Sequence, residues 1–466
     1  MASFTDHLVF DEALIRRFDI NGPRYTSYPT ADRFGPEFGA DAYRERLERR
    51  RDDPQDRKPF SLYFHLPFCT TICYYCACNK IITKDHGRSA KYLKYLGREL
   101  ALQTGFLDPD DNAVEQLHWG GGTPTFLSHD EMRQLMDMTR RHFRLLDGGE
   151  YSIEVDPRKV DRATVDLLAE LGFNRMSLGV QDFDERVQQA VNRIQSEEET
   201  FAVMDAARAN GFKSISIDLI YGLPKQSVEG FDRTLDRVLA ASPDRLSIYN
   251  YAHLPTLFKP QRRILDADLP TPDARLQILA RAIDKLTSAG YVFIGMDHFA
   301  KPDDELAVAQ RAGRLHRNFQ GYSTHSDRDM LSFGITSIGK VGTSYSQNVK
   351  TLDEYYERLD NGILPVFRGI SLTPEDVLRR AVIQSLMCHF ELSFAAFEKE
   401  FGIDFPRHFA VELAELGEME QAGLLRIEPG RIVVLPPGRM LVRAISMAFD
   451  AYLRANRTQN RYSKVI

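Results

Sequence analysis

The sequence predicts an α/β protein whose sheet is either an open partial barrel or a doubly wound sheet. Three observations carry that expectation. Apolar, strand-like runs alternate with amphipathic, helix-like runs, which implies parallel strands joined by right-handed crossovers. Helix start and stop signals fall between the runs. The run count gives six βα units, fewer than the eight of a closed barrel.

Residues 1–50 form an N-terminal lead-in, in which GPRYTSYPT (22–30) is too rich in turn formers and tyrosine for a plain helix. Residues 51–365 hold the candidate strands FSLYFHL (60–66), VEQLHWG (114–120), YSIEVD (151–156), RMSLGVQ (175–181), SISIDLIYG (214–222), RLSIYNY (245–251) and YVFIGMD (291–297). Ser128 with Glu131, and Ser196 with Glu199, fit capping boxes, and Gly172 and Gly211 sit where helix ends favour a left-handed residue. Residues 366–466 change to helices plus one hairpin, LLRIEPGRIVVL, with Pro429-Gly430 at its turn. They read as a small, mainly helical, winged-helix-like domain.

At 466 residues the chain is too long for one ordinary domain, and 43% hydrophobic with 27% charged residues is a globular composition. A net charge of −6 with dispersed basic residues gives no nucleic-acid footprint. MASFTDHLVFDEALIRRFD carries charges where a signal peptide has an apolar run, and no run of 18 uncharged apolar residues marks a membrane span. A cytoplasmic location is expected, where thiols stay reduced.

Four of the five cysteines fall in FHLPFCTTICYYCACNK (64–80), as Cys69-x3-Cys73-x2-Cys76-x-Cys78. A structural zinc site usually draws ligand pairs from separate segments, because one short loop does not easily wrap a tetrahedron. An iron–sulfur cluster spreads its irons, so closely spaced thiolates on one loop each reach a different iron. Three thiolates on a four-iron cluster leave one iron for a substrate or cosubstrate. Cys388, in the helix-like LMCHF, reads as a core cysteine.

CxxxCxxC with Tyr75 before its last cysteine resembles the signature of radical S-adenosylmethionine (SAM) enzymes. The resemblance implies Cys69, Cys73 and Cys76 as ligands of one [4Fe-4S] cluster whose open iron is chelated by SAM, which an electron then cleaves to a deoxyadenosyl radical. Cys78 stands outside this ligand set; its alternative is a small buried residue. HWGGGTPT (118–125) is by itself a tight turn, but in this position it resembles the "GGE"-type motif that holds the methionine amino group, with Gly121, Gly122 and Thr123 as the contacts. Glu154, Gln181 and Asp218 then fall at later strand ends. Each alone fits a helix cap or turn, whereas three on one rim fit an active face. Arg193, in VNRIQ, adds a cation able to pair with a carboxylate.

GPRYTSYPTA, YFHLPFC, CACNK, LHWGGGTPT, SIEVDPR, GVQDF, VNRIQ, IDLIYGLPKQ, YNYAHLPT, FIGMDHFAKPDDELA, LHRNFQGY and RYSKVI together resemble the oxygen-independent coproporphyrinogen III oxidases (dehydrogenases) over almost the whole chain. That family implies a partial (β/α)6 TIM-like barrel of radical SAM type. It implies conversion of two propionates of coproporphyrinogen III to vinyl groups, giving protoporphyrinogen IX in haem biosynthesis. It also implies two SAM molecules. The first would touch Tyr63, Gly121, Glu154 and Ile338; the second would touch Tyr75, Gly122, Thr123, Gln181, Arg193, Asp218 and Ala252. Tyr63, His65 and Cys78 are the candidate catalytic residues; alternation along the strand puts Tyr63 and His65 on one face, where His65 donates a proton, orients the substrate or is merely hydrogen-bonded. The substrate's four carboxylates ask for basic and aromatic residues, offered by Arg311, Arg314, His316, Arg317, Phe319 and Tyr322, with Arg24 and Tyr25, unless these form a solvated loop. An unidentified electron donor, no nucleic acid, no membrane and a monomer complete the expectation. Ala77 stands where the closest relatives are expected to have glycine, and Tyr75 where phenylalanine is frequent. The rivals are a haem chaperone, a haem-modifying radical SAM protein on the same scaffold, and a zinc-stabilised structural protein.

Overall fold

Strands β1 (Phe60–Leu66), β2 (Ala113–Gly121), β3 (Arg144–Val155), β4 (Arg175–Gln181), β5 (Ser214–Tyr221) and β6 (Arg245–Asn250) lie side by side in chain order, all parallel. A doubly wound sheet reverses its strand order at a switch point. Unbroken order is that of a barrel wall, so the partial barrel is the architecture formed. This computed structural model describes residues 8–53, 57–325, 327–455, 464 and 466; the MASFTDH start and most of the RYSKVI tail lie outside them.

The wall continues past both ends as one sheet of 12 strands. β7 (Val292–Gly295) and β8 (His298–Ala300) form an antiparallel pair, with β8 antiparallel to β6. On the other side β9 (Met330–Phe333) joins β1 in parallel, followed by antiparallel β10 (Ile338–Lys340), β11 (Ser344–Asn348) and β12 (Val366–Ser371). β7 falls within the expected strand YVFIGMD (291–297), whereas the sequence did not announce β8 to β12. β9 is buried at every position, so it lacks the alternation that marks a half-buried strand.

Between the wall strands run α1 (His86–Thr104), α2 (His129–His142), α3 (Arg162–Glu170), α4 (Glu197–Ala209) and α5 (Val228–Ala241), with α6 (Pro272–Ser288) after β6. Both expected capping boxes are formed. Helix α2 turns Met132, Leu135, Met136 and Thr139 inward at helical spacing. Gly172 and Gly211 take φ of 99° and 74° at the ends of α3 and α4.

After α7 (Pro374–His389), Glu391–Ser393, Arg431–Val434 and Leu425–Glu428 form a three-stranded sheet amid short helices, with Gly430 at φ 96° in the expected turn. The lead-in is pinned beneath this region. Tyr25 and Tyr28 are buried; Tyr25 donates to Asp450 at 3.0 Å, the Ala451 amide donates to Tyr28 at 3.1 Å, and Arg443 donates to the carbonyls of Gly22 and Pro23. Tyr25 is thus a structural tie. Among the described residues no helix is long and apolar enough to cross a membrane.

Candidate active site

The cysteine loop leaves the carboxyl end of β1 and crosses the barrel rim. Phe68–Cys69 makes a two-residue parallel pairing with Ile81–Ile82, which closes the loop at its base. The Tyr74 amide donates to Val191 O at 2.9 Å, and Asn192 Nδ2 donates to Ile72 O at 2.7 Å. Gln261, fully buried, donates to Tyr75 O at 3.0 Å and to Ala252 O at 3.2 Å, joining the loop to the segment after β6.

Cationic donors converge on the thiols. Arg193 Nη1 lies 3.7 Å and Arg158 Nη2 3.9 Å from Cys73 Sγ, while Thr123 Oγ1 lies 3.4 Å from Cys69 Sγ. Lys80 Nζ donates to the carbonyls of Cys76 and Cys78. Burial pushes the Cys69 thiol up to about 11, whereas a hydrogen bond from Cys78, with Lys80 nearby, draws Cys76 down to about 6. Asp156 pairs with Arg158 at 2.6 Å and with Arg193 at 3.4 Å. Arg193 therefore meets a carboxylate, as expected, and it is that of Asp156. Burial works against its charge, but Tyr75, Asp156 and Cys73 outweigh that, so it stays protonated.

Beside the loop, Tyr63 stacks on His118 with ring centres 5.8 Å apart, and its hydroxyl is 3.2 Å from His65 Nδ1. His65 Nε2 meets Asn79 O at 3.1 Å, and burial keeps the ring neutral. The His65 carbonyl accepts from Tyr92 on α1 at 2.8 Å, and Tyr92 accepts from the Ile335 amide at 3.0 Å. Two helical turns on, buried Glu99 accepts from Tyr355, Asn348, Gly334 N and Gln103 at 2.6–3.0 Å, clamping the segment after β9.

Glu154 Oε2 accepts from the Gly121 amide at 3.0 Å, and His118 lies 3.5 Å from Oε1. Burial pushes this carboxyl up, but His118 and the Gly121 amide outweigh it, so it stays below the usual carboxylate range. Asp218, inside β5 rather than at its end, accepts from Ser177 at 2.9 Å; burial raises it to about 6 against its serine hydrogen bonds.

Two features fit the residues present to a bound cofactor. Gln181, at φ 67°, holds Oε1 buried without a partner. A Cβ on Gly121 would lie 2.6 Å from the His65 ring and one on Gly122 2.6 Å from the Pro67 carbonyl carbon, so only glycine fits this turn. Soft thiol donors suit an iron–sulfur cluster. Among the described residues no three His, Cys, Asp or Glu side chains gather as ligands of a single metal ion.

Residues 63–238 match the radical SAM superfamily model, and residues 372–441 match that of the HemN C-terminal domain. The oxygen-independent coproporphyrinogen III oxidase of Pseudomonas aeruginosa is 52% identical over 99% of this chain and 100% of its own length. The chain belongs to the oxygen-independent coproporphyrinogen III oxidase family. The Escherichia coli member is 48% identical over 98% of both chains. A solved structure described as coproporphyrinogen III oxidase (HemN) from Escherichia coli, a radical SAM enzyme, superimposes with a TM-score of 0.91 at 47% identity, covering 96% of this chain and 100% of that one. The protein is thus a radical SAM oxidoreductase, and its superfamily implies a [4Fe-4S] cluster and SAM.

The structure gathers Cys69, Cys73, Cys76, Cys78, Tyr63, Tyr75, His65, Gly121, Gly122, Thr123, Glu154, Gln181, Arg193 and Ala252 around one rim, with Asp218 deeper in the barrel. Ile338 opens β10 and packs with the cluster of Phe34, Tyr345 and Leu372. Of the basic loop, Arg317 is buried, whereas Arg311 and Arg314 face solvent. His118, Asn79, Asp156, Arg158 and Gln261 were missed. His118 had a signal, since alternation along β2 turns it to the same face as Gly120. Gln261 had none.

Proposed function

We propose that this chain removes two propionate carboxyl groups of coproporphyrinogen III without oxygen, giving the vinyl groups of protoporphyrinogen IX. The full-length identity to the Pseudomonas aeruginosa family member carries this reading, and the rim of thiols, glycines and carboxylates supports it. Each propionate loses one hydrogen atom, one electron and CO2. When bound, the cluster and SAM supply the deoxyadenosyl radical that takes the hydrogen.

The chain's own residues would then act as follows. Cys69, Cys73 and Cys76 hold the cluster, with Arg193 and Arg158 offsetting negative charge at Cys73. Two SAM molecules belong to this reading. Tyr63, Gly121, Glu154 and Ile338 would contact the first; Tyr75, Gly122, Thr123, Gln181, Arg193, Asp218 and Ala252 would contact the second. The unpartnered Gln181 Oε1 supports a polar ligand there. Tyr63, His65 and Cys78 are the groups proposed to assist the chemistry; His65, neutral and held by Tyr63 and Asn79, is fixed in place to orient the substrate. Boundaries near residues 50 and 365, a separate electron donor and a cytoplasmic monomer belong to the same reading, the last supported by five free cysteines.

The test is anaerobic reconstitution with iron, sulfide, a reductant, SAM and coproporphyrinogen III. Protoporphyrinogen IX with two deoxyadenosines per turnover is expected. SAM cleavage with no loss of propionate from this substrate would overturn the assignment.

A further inference from the structure

Arg317 is a buried cation without a counter-ion. It is 4% exposed, its Nε and Nη1 have no hydrogen-bond partner, and among the described residues no carboxylate forms an ion pair with it. Its backbone is locked, the amide donating to Gln384 Oε1 at 3.2 Å and the carbonyl accepting from Gln384 Nε2 at 2.6 Å. Arg380, one turn earlier on α7, also holds a buried Nη1 without a partner. Both arginines line the same crevice, about 30 Å³ in volume, walled by Arg328, Lys340 and a single carboxylate, Asp327. Asp327 answers Lys340 at 2.6 Å and Arg380 at 3.5 Å, and Arg328 is answered from outside by Glu115 at 2.6 Å. The crevice thus keeps a surplus of positive charge and unmatched donors. Buried guanidinium groups persist in that state when a ligand completes them. A volume of about 30 Å³ leaves room for a small polar group such as the head of a carboxylate.

The crevice connects to the rim through aromatic rings. The Arg317 guanidinium lies 4.8 Å from the centre of the Tyr322 ring; Tyr322 meets His298 edge-on at 5.2 Å, and His298 meets Tyr249 at 5.9 Å. Tyr249 meets Ser247, which also meets Asp218 inside the barrel, below the rim. His298 keeps Nδ1 unpartnered and stays neutral, held down to about 3 by burial and by Arg317. A macrocycle lying against this row would bring a short acidic arm to Arg317.

We propose that Arg317, with Arg380 beside it, receives one propionate carboxylate of the tetracarboxylate macrocycle and so sets which of its edges faces the cysteine loop. This rests on the substrate reading above. Arg311 and Arg314, on the same stretch of sequence, face solvent and take no part.

The test uses the reconstituted full chain and coproporphyrin III, the oxidised macrocycle with the same four propionates, titrated by absorbance. Arg317→Gln is expected to raise its Kd at least about tenfold, as loss of a charge-assisted pair does. Arg317→Lys should recover part of that loss. The tetramethyl ester should bind the parent protein weakly and be indifferent to either substitution. An unchanged Kd for Arg317→Gln in protein with the parent melting curve overturns the proposal, and so does an equal loss for acid and ester. If Arg317→Gln does not fold, Arg380→Gln is read the same way, an unchanged Kd again overturning it. Failure of the parent enzyme to convert coproporphyrinogen III would instead sink the substrate reading, whereas parent turnover with an unaltered KM in Arg317→Gln sinks only this inference.

Discussion

Arg193 and Cys73, 120 positions apart in the chain, meet at 3.7 Å at the rim of the barrel, with Asp156 pairing the same guanidinium at 3.4 Å. Arg193→Gln removes one side of a buried ion pair while Arg158 still answers Asp156. A loss of about 2 kcal/mol is expected in urea melts, below the cost of leaving a buried charge wholly unpaired. Iron retained after gel filtration without air should fall as well. Parent-like stability would show that Arg158 alone neutralises Asp156.

The cysteines divide into three and one. Cys69→Ser, Cys73→Ser and Cys76→Ser are each expected to lose SAM cleavage. Cys78→Ser should keep about four irons per chain, as a ligand set of three predicts. Iron and sulfide analysis with a deoxyadenosine assay reads both. Full SAM cleavage in Cys76→Ser would remove that cysteine from the set.

Gly121 is constrained from both sides, with φ at 114° and a would-be Cβ 2.6 Å from the His65 ring. Gly121→Ala should cost about 2 kcal/mol from backbone strain and crowding. It should also raise KM for SAM more than it lowers stability would explain. Thermal melts paired with SAM titration separate the two effects.

Glu99 gives a pH dependence whose sign is fixed. Burial raises its carboxyl to about 7 against four hydrogen bonds, above an ordinary value of 4.5. Between those values the folded chain keeps a proton that the unfolded chain has released. Its contribution to stability is therefore greatest below about 4.5 and is lost as pH rises towards 7, by on the order of 3 kcal/mol. Glu99→Gln should flatten that fall. Urea melts of both proteins at pH 5 and pH 7.5 would show the stability difference moving in favour of Gln; no movement would mean that Glu99 titrates normally.

What the sequence disclosed follows from the range over which each signal acts. β1 and β4 were legible to the residue because alternating apolar residues lie between clear breaks. β3 starts at Arg144, seven positions before the expected Tyr151, because Asp147-Gly148-Gly149 reads as a turn. It is instead an irregularity within the strand, since the partners of Val114 and Gln116 are Leu145 and Glu150. The cysteine loop stood out through chemistry packed into ten positions. Gln261, which bridges 186 positions to reach Tyr75, leaves no local trace. The clamp of Glu99 on Gly334 and Asn348 is equally silent, being assembled from α1 and two edges of distant strands.

The lead-in is held by partners that the ribosome delivers last. Arg443 grips the carbonyls of Gly22 and Pro23 from 421 and 420 positions downstream. At ordinary synthesis speeds that interval is roughly half a minute. For that time Tyr25 and Tyr28 have no buried berth, while the cysteine loop has already been made. Maturation thus has a fixed chronology, with the earliest residues translated among the last to be fastened.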